Sequence, residues 1–304
     1  MKLLIIGCGS IGSRHAKNAQ ALGHSVVLCD PDPARGQYTD YKVALEKEHI
    51  DAAIVASPSN LHVEAAQYLA EKGIPICMEK PLATSLTGLA ELVRTVKEKN
   101  VVTMMAQSYR WHEGLLALKK FLEEGTLGSP KRVVCVAKEY LPDWHPNQDY
   151  RLEYAAQKKM GGGALFTSMS HTLDVIEWLF GGVVEIAGSK QRSGTLDMDA
   201  DDTADVAGQT ARGVTFTAHN DYFTKQPSNT IRVECEQGVA EIDLRGNTLN
   251  GEPYAFDANK RYLDELAYFV TLVERGGADP ALDIAHGAHL VELMCDNRIK
   301  DLTV

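Results

Sequence analysis

The feature that most constrains this chain is Gly7-Cys8-Gly9-Ser10-Ile11-Gly12, which follows the apolar run 3–6 directly. That run reads as a buried strand, and a helical pattern covers 13–22. Glycines at this spacing permit a tight turn, a close backbone approach to a pyrophosphate, and close helix-on-strand packing. The helix start supplies oriented N–H groups. A second strand, 25–29, ends at Asp30, about 18 residues past Gly12. A carboxylate there is placed to accept hydrogen bonds from the ribose hydroxyls of NAD. Taken alone the glycine motif also fits a turn with no ligand. The strand before it, the helix after it and Asp30 favour the dinucleotide. Gly7, Gly9, Ser10, Ile11, Gly12 and Asp30 are therefore the first cofactor candidates. Asp30 repels a 2′-phosphate, so NAD is favoured. The nearby Arg35 leaves NADP open.

Strand and helix keep alternating. The pattern predicts a strand at 52–56, a helix at 61–72 with Asn60 as N-cap, and a strand at 74–78. A helix at 85–99 and a strand at 101–106 complete the series. This is a doubly wound parallel sheet. The fourth strand runs into Glu79-Lys80-Pro81. A lysine at the C-terminal end of a parallel strand lies where open α/β sheets bind ligands. Pro81 gives no N–H to a ladder and biases Lys80 away from helical geometry. Read alone, Lys80 is equally a solvated turn lysine. Arg110, just past the fifth strand, is a substrate candidate with a structural alternative of equal weight.

From about Lys131 the periodicity turns to alternation, with a strand at 131–140. The long loop 141–151 carries Trp144, His145, Tyr150 and Arg151. These aromatic, charged and hydrogen-bonding groups suit sugar recognition, although loops are polar in any case. Lys158-Lys159-Met160-Gly161-Gly162-Gly163 offers a basic, glycine-rich approach to a helix. Such an approach can receive an anionic group, or it is a turn needing positive φ. The helix predicted at 164–179 carries His171 and Asp174, which share a face at i and i+3. Asp174 is placed to orient or charge-stabilise the imidazole, and Thr167 lies one turn earlier. Strands follow at 183–192, 203–210, 214–222, 230–235 and 239–244, then helices at 259–275 and 283–297. Asp197, Asp199, Asp201 and Asp202 read as a solvated acidic loop, because the segment lacks the glycine and terminal glutamate of an EF-hand. No metal site is expected. The strands fit one broad antiparallel sheet whose exposed face needs a cover, and a homo-oligomer, dimer or tetramer, supplies one.

The order of these segments resembles the Gfo/Idh/MocA family of NAD(P)-dependent oxidoreductases. The carriers are Gly7-x-Gly9-x-x-Gly12, Ser57-Pro58-Ser59-Asn60-Leu61-His62, Glu79-Lys80-Pro81, and Gly161-Gly162-Gly163 followed by His171 and Asp174. The resemblance implies an N-terminal Rossmann domain, taken as 1–118. It implies a C-terminal α+β domain, taken as 119–304, for substrate binding and oligomerisation. It also implies hydride transfer at a secondary hydroxyl or carbonyl carbon of a sugar, nucleotide sugar or cyclitol. Lys80 matches the family's catalytic lysine and His171 its catalytic histidine. Ser57, Pro58, Asn60, His62, Glu79 and Lys80 join the cofactor contacts. Arg110, Trp144, Tyr150, Arg151, Thr167 and His171 form the substrate set. The family often carries an aspartate four residues before its histidine, and here that position is Thr167. Two other readings stay open: reduction of an imine or conjugated double bond, and a non-catalytic NAD-binding sensor or regulatory subunit.

Composition removes other classes. With 31 basic and 41 acidic residues the net charge is -10, and no Lys/Arg cluster tracks a phosphate backbone, so nucleic acid is not an expected partner. No apolar run approaches the roughly 20 residues that span a bilayer. The N-terminus is too short and too soon broken by Gly7 for a signal peptide. The six cysteines are scattered without a C-x-x-C pair, as expected of reduced thiols in a cytoplasmic protein.

Overall fold

A computed structural model describes residues 1–303. Two compact units divide the chain. The first combines Met1–Ser108 with Asn259–Val291, and the second combines Tyr109–Ala258 with the segment from Glu292 on. The linear division at 118 therefore misses a return: the chain from Asn259 to Val291 packs with the N-terminal unit.

In the first unit the strands are β1 (Lys2–Ile6), β2 (Ser25–Cys29), β3 (Ala52–Val55), β4 (Ile76–Glu79) and β5 (Thr103–Ala106). They pair in parallel in the order β2-β1-β3-β4-β5. Leu3, Leu4, Ile5, Ala53, Ile54, Val55, Ile76 and Met78 are fully buried, because helices cover both faces of a parallel sheet. The connecting helices are α1 (Ser10–Ala21), α2 (Tyr41–Lys47), α3 (His62–Glu71) and α4 (Leu89–Lys99). α4 starts later than the predicted residue 85, because Gly88 takes φ 77° at its N-cap. Asn60 lies inside a 3₁₀ turn, Ser59–Leu61, and does not cap α3.

In the second unit, α5 (Glu113–Glu123) and β6 (Pro130–Tyr140) come first. The helix predicted at 164–179 is two pieces, α6 (Ala164–Thr167) and α7 (Met169–Phe180), parted at Ser168. The strands β7 (Val183–Gln191), β8 (Thr203–Thr210), β9 (Thr215–Asp221), β10 (Phe223–Cys235), β11 (Gly238–Asp243), β12 (Thr248–Leu249) and β13 (Glu252–Pro253) follow. β10 begins seven residues before the predicted 230, with a register shift between Phe223 and Ser228 on β6.

Helices α8 (Lys260–Arg275) and α9 (Ile284–Met294) precede a final strand, β14 (Ile299–Asp301). Within the first unit α8 packs on α1, where the Asn259 and Asn18 side-chain amides pair at 2.9 and 3.4 Å and the Arg14 guanidinium lies 4.4 Å from the Tyr262 ring centre. Leu282 accepts the Met105 N–H at 2.6 Å, and Thr103 Oγ1 accepts the Ile284 N–H at 3.1 Å, so this returning segment covers the β5 edge.

The nine-stranded sheet runs β13-β12-β11-β10-β6-β9-β8-β7-β14. It is antiparallel except for the β6–β9 and β14–β7 pairs. α6 and α7 pack on one face, where Val206, Phe216 and Ala218 are buried. Asp205, Ala207, Thr215 and Thr217 alternate outward on the other. That alternation is what a sheet covered on one side requires.

Candidate functional site

In the first unit the site begins at the turn between β1 and α1. Gly7 has φ 91°, and a Cβ there would sit 2.6 Å from Ala56 O; a Cβ on Gly12 would run into the Gly7 carbonyl. A Cβ on Gly9 would meet nothing within 4 Å. The first and third glycines are thus required by packing, and the second leaves open approach to the backbone. Helix α1 starts at Ser10, so its first-turn N–H groups face this turn.

Asp30 directly follows β2 and is 9% exposed. Its Oδ2 accepts the Cys8 N–H at 2.7 Å and its Oδ1 the Asp32 N–H at 2.9 Å. These bonds aim the carboxylate and leave lone pairs over, since an ionised carboxylate has about four acceptor sites. Arg35 is exposed and pairs with Asp32 at 3.3 Å.

At the C-terminal ends of β3 and β4 buried polar side chains meet the turns. Glu79 is 7% exposed and its Oε1 lies 2.7 Å from His15 Nε2, on the fully buried His15 of α1. Burial pushes the Glu79 carboxyl up, but the His15 hydrogen bond and the charges of His15, Lys80 and His62 hold it below its ordinary value. His62 is 1% exposed, and its two ring nitrogens lie 2.8 Å from Pro81 O and 2.8 Å from Ser57 O. Burial pushes its imidazole down, against the pull of the two carbonyls. Lys80 is half-buried, and the Lys80–Pro81 peptide is cis.

In the second unit His171 lies half-buried on α7. Its ring stacks on Tyr109, with centroids 4.7 Å apart and planes at 14°. Asn229 Nδ2 donates to the Tyr109 hydroxyl at 3.2 Å. Asp174, read in the sequence as a support for His171, takes two hydrogen bonds from Arg110, at 3.0 and 2.7 Å. Both groups are buried, Asp174 completely. A planar guanidinium matches a carboxylate bidentately, which an imidazole cannot do. This ion pair also engages the side chain that had been a substrate candidate.

Thr167 belongs to a hydroxyl cluster. Tyr154 O–H donates to Thr167 Oγ1 at 3.1 Å, and the Ser168 and Tyr222 hydroxyls pair at 2.9 Å. Burial drives the Tyr222 phenol well above its ordinary value, so it stays a neutral group. Trp144 packs edge-on against Tyr222, with ring centroids 5.2 Å apart. The outer loop is stapled to its neighbour: the Tyr150 hydroxyl accepts the Asp197 N–H at 3.0 Å, and Arg151 pairs with Asp149 at 2.7 Å and Asp197 at 3.3 Å.

Two loop expectations are corrected. Asp201 and Asp202 are buried, not solvated. Asp202 accepts the Ser193 N–H and O–H, both at 2.7 Å. Asp201 accepts the Leu165 N–H at 2.8 Å, and a side chain on Gly163 would clash with it. The start of α6, predicted to receive an anion, therefore already holds a carboxylate of this chain. Among the described residues no group of three or more His, Cys, Asp or Glu could hold a metal.

Sequence reasoning missed His15, Asn229, Tyr154 and Tyr222. His15 had a signal: with Ala16 and Ala19 it falls on the buried face of α1. Its partner lies 64 residues away, beyond any local pattern.

A glycine cradle opening a helix, with a strand-end carboxylate beside it, defines a Rossmann-type dinucleotide-binding protein. Residues 1–107 match the oxidoreductase family with an NAD-binding Rossmann fold, and residues 115–241 match the GFO/IDH/MocA C-terminal domain. The chain belongs to the Gfo/Idh/MocA family, and its N-terminal unit is an NAD-binding domain. It is 33% identical over 144 residues to levoglucosan dehydrogenase of Pseudarthrobacter phenanthrenivorans, covering 47% of this chain and 36% of that one. It is 25% identical over 254 residues to 2,7-anhydro-N-acetylneuraminate hydratase of Mediterraneibacter gnavus, covering 79% of this chain and 66% of the relative. The matched stretches thus span less than two thirds of either relative. In fold it resembles myo-inositol 2-dehydrogenase from Lactobacillus plantarum, with TM-score 0.82 and 19% identity over 98% of this chain and 96% of that one.

Proposed function

We propose that this protein is an NAD-dependent dehydrogenase of a secondary hydroxyl carbon in a sugar or cyclitol. The observation that carries this reading is the Asp30 carboxylate, aimed by the Cys8 N–H beside the glycine turn, in the same unit that ends β4 with Lys80. The names of the relatives, levoglucosan and myo-inositol dehydrogenases, support a polyol class. An uncharged polyol is favoured over a nucleotide sugar, because Asp201 already fills the start of α6.

Gly7, Gly9, Gly12 and the first turn of α1 would hold the pyrophosphate, and Asp30 the adenosine ribose. Ser57, Pro58 and Asn60 lie on the turn after β3 that would flank the cofactor. The nicotinamide ring supplies or accepts the hydride when bound. Lys80 hydrogen-bonds the reacting oxygen and polarises it. His171, its ring plane set by Tyr109, takes or returns the hydroxyl proton as general acid–base. Thr167 brings no charge to His171, and Tyr154, Thr167 and Trp144 offer hydroxyl and aromatic surface suited to a polyol. Arg151 and Tyr150 shape the loop. The open face of the nine-stranded sheet, with Val184 63% exposed, is the proposed homo-oligomer surface. A cytoplasmic setting is supported by six free cysteines.

The test is a screen of aldoses, polyols and cyclitols for NADH formation, followed near 340 nm, the usual absorbance of reduced nicotinamide. Lys80→Ala is expected to retain NADH binding and lose about 10²-fold in kcat. Near-normal turnover in that variant overturns the role of Lys80, and no NADH from any polyol overturns the substrate class.

A further inference from the structure

We infer that His62 and His15 are positioning residues that clamp the Lys80 turn from its two sides, and that neither touches the cofactor. The inference rests on the proposed role of Lys80. Glu79 Oε2 accepts the Lys80 backbone N–H at 3.3 Å, while the same carboxylate, through Oε1, meets His15 Nε2 at 2.7 Å. On the other side the Pro81 carbonyl meets His62 Nδ1 at 2.8 Å. The other nitrogen of that ring holds the Ser57 carbonyl at 2.8 Å. The residue that carries the chemistry thus has its own amide tied towards α1 and the next carbonyl tied to the start of α3.

The three motif segments of this unit are joined here by side chains. α1 follows the glycine turn and contributes His15. α3 follows the Ser57-Pro58 turn and contributes His62. Both imidazoles are buried, at 0% and 1% exposure, so they present no surface to a ligand. This replaces the cofactor-contact role that the sequence suggests for His62 and Glu79. A lysine side chain has four rotatable carbons and gains little placement from itself. Fixing its backbone on both sides removes one source of error in the position of Nζ, and displacement of a catalytic group by about 1 Å lowers rate by about 10²-fold.

Both partners of His62 are carbonyls, which only accept. The ring ties both carbonyls at once only when both of its nitrogens carry protons. Two substitutions separate them. His62→Asn places an amide near the Nδ1 position and can keep the tie to Pro81. His62→Gln places an amide near Nε2 and can keep the tie to Ser57. The expected result is asymmetric. His62→Gln loses about 10-fold or more in kcat, while His62→Asn loses about threefold or less, with KM and the NADH dissociation constant little changed in both. A purely structural histidine predicts equal losses that follow thermal stability, and that result overturns the inference.

A readout independent of turnover is amide hydrogen exchange at Lys80 and Leu82, followed by mass spectrometry. Exchange is expected to be faster in His62→Gln than in His62→Asn, and equal exchange overturns the inference. If the unaltered protein oxidises no polyol, the functional reading fails and the exchange measurement still decides. Should the His62 variants not fold, Glu79→Gln keeps the side-chain shape. It is expected to lower kcat by about 10-fold with NADH binding retained. Unchanged kcat and unchanged Lys80 exchange in that variant also overturn the inference.

Discussion

The two backbone N–H groups that Asp30 accepts hold its carboxylate at one place near the glycine turn. A group so fixed selects by repulsion as well as by hydrogen bonding, since a 2′-phosphate brings negative charge to a buried anion. Asp30→Ser is expected to move the NADP-to-NAD ratio of kcat/KM by tenfold or more, a change worth about 1.4 kcal/mol. An unchanged ratio in side-by-side kinetics removes Asp30 from cofactor choice. Glu79 makes a second residue-scale prediction. Its folded pKa is depressed, so its contribution to stability is present above the unfolded value, about 4.3, and is lost as pH falls through the folded value. Urea unfolding free energies measured downward from about pH 4.3 should therefore fall more steeply for the unaltered protein than for Glu79→Gln. Equal slopes would mean that Glu79 is not charged in the fold.

Elements are held in register by pairs that no single element contains. The segment just after β5 is locked to α7 by the bidentate Arg110–Asp174 pair and by the Tyr109–His171 stack. Removing one member of a buried ion pair strands the other charge, whereas replacing both by apolar groups is often nearly neutral. Asp174→Leu alone is expected to destabilise the protein by about 3–5 kcal/mol in denaturant titrations. Arg110→Met with Asp174→Leu is expected to recover most of that loss. Equal destabilisation by the single and double changes would place the main role of Arg110 elsewhere. At the other end of the chain's logic, α1 depends on its glycines. Gly12→Ala should abolish NADH binding, because the new Cβ strikes the Gly7 carbonyl and the turn opens.

Across the whole molecule, burial sorts the six cysteines. Burial pushes the Cys29 and Cys135 thiols up to about 12 and Cys77 well above its ordinary value, so none of these is a thiolate near neutral pH. A thiol reagent is expected to label the part-exposed Cys235 and Cys295 first, and the four buried cysteines only in denaturant. Prompt labelling of Cys77 in the native protein would contradict this packing. The doubly wound sheet, the glycine cradle and most strand positions were legible because each rests on local spacing: period-two and buried-run patterns, turn glycines, a strand-end carboxylate. Ser168 was not legible as a helix break, since nothing in its neighbours marks the division of α6 from α7. The return of residues 259–291 to the first unit was also invisible, because an amphipathic helix does not state which partner it will cover. The sequence by itself determined which residue types stand at each strand end: glycines after β1, Asp30 after β2, Ser57-Pro58 after β3 and Lys80 after β4. Only the tertiary structure decided which side chains meet. His15 went to Glu79, His62 to two carbonyls, Asp174 to Arg110, and Asp201 to the start of α6. The physical reason is that a buried polar group must find its partner through space, and these partners lie 5 to 64 residues away along the chain.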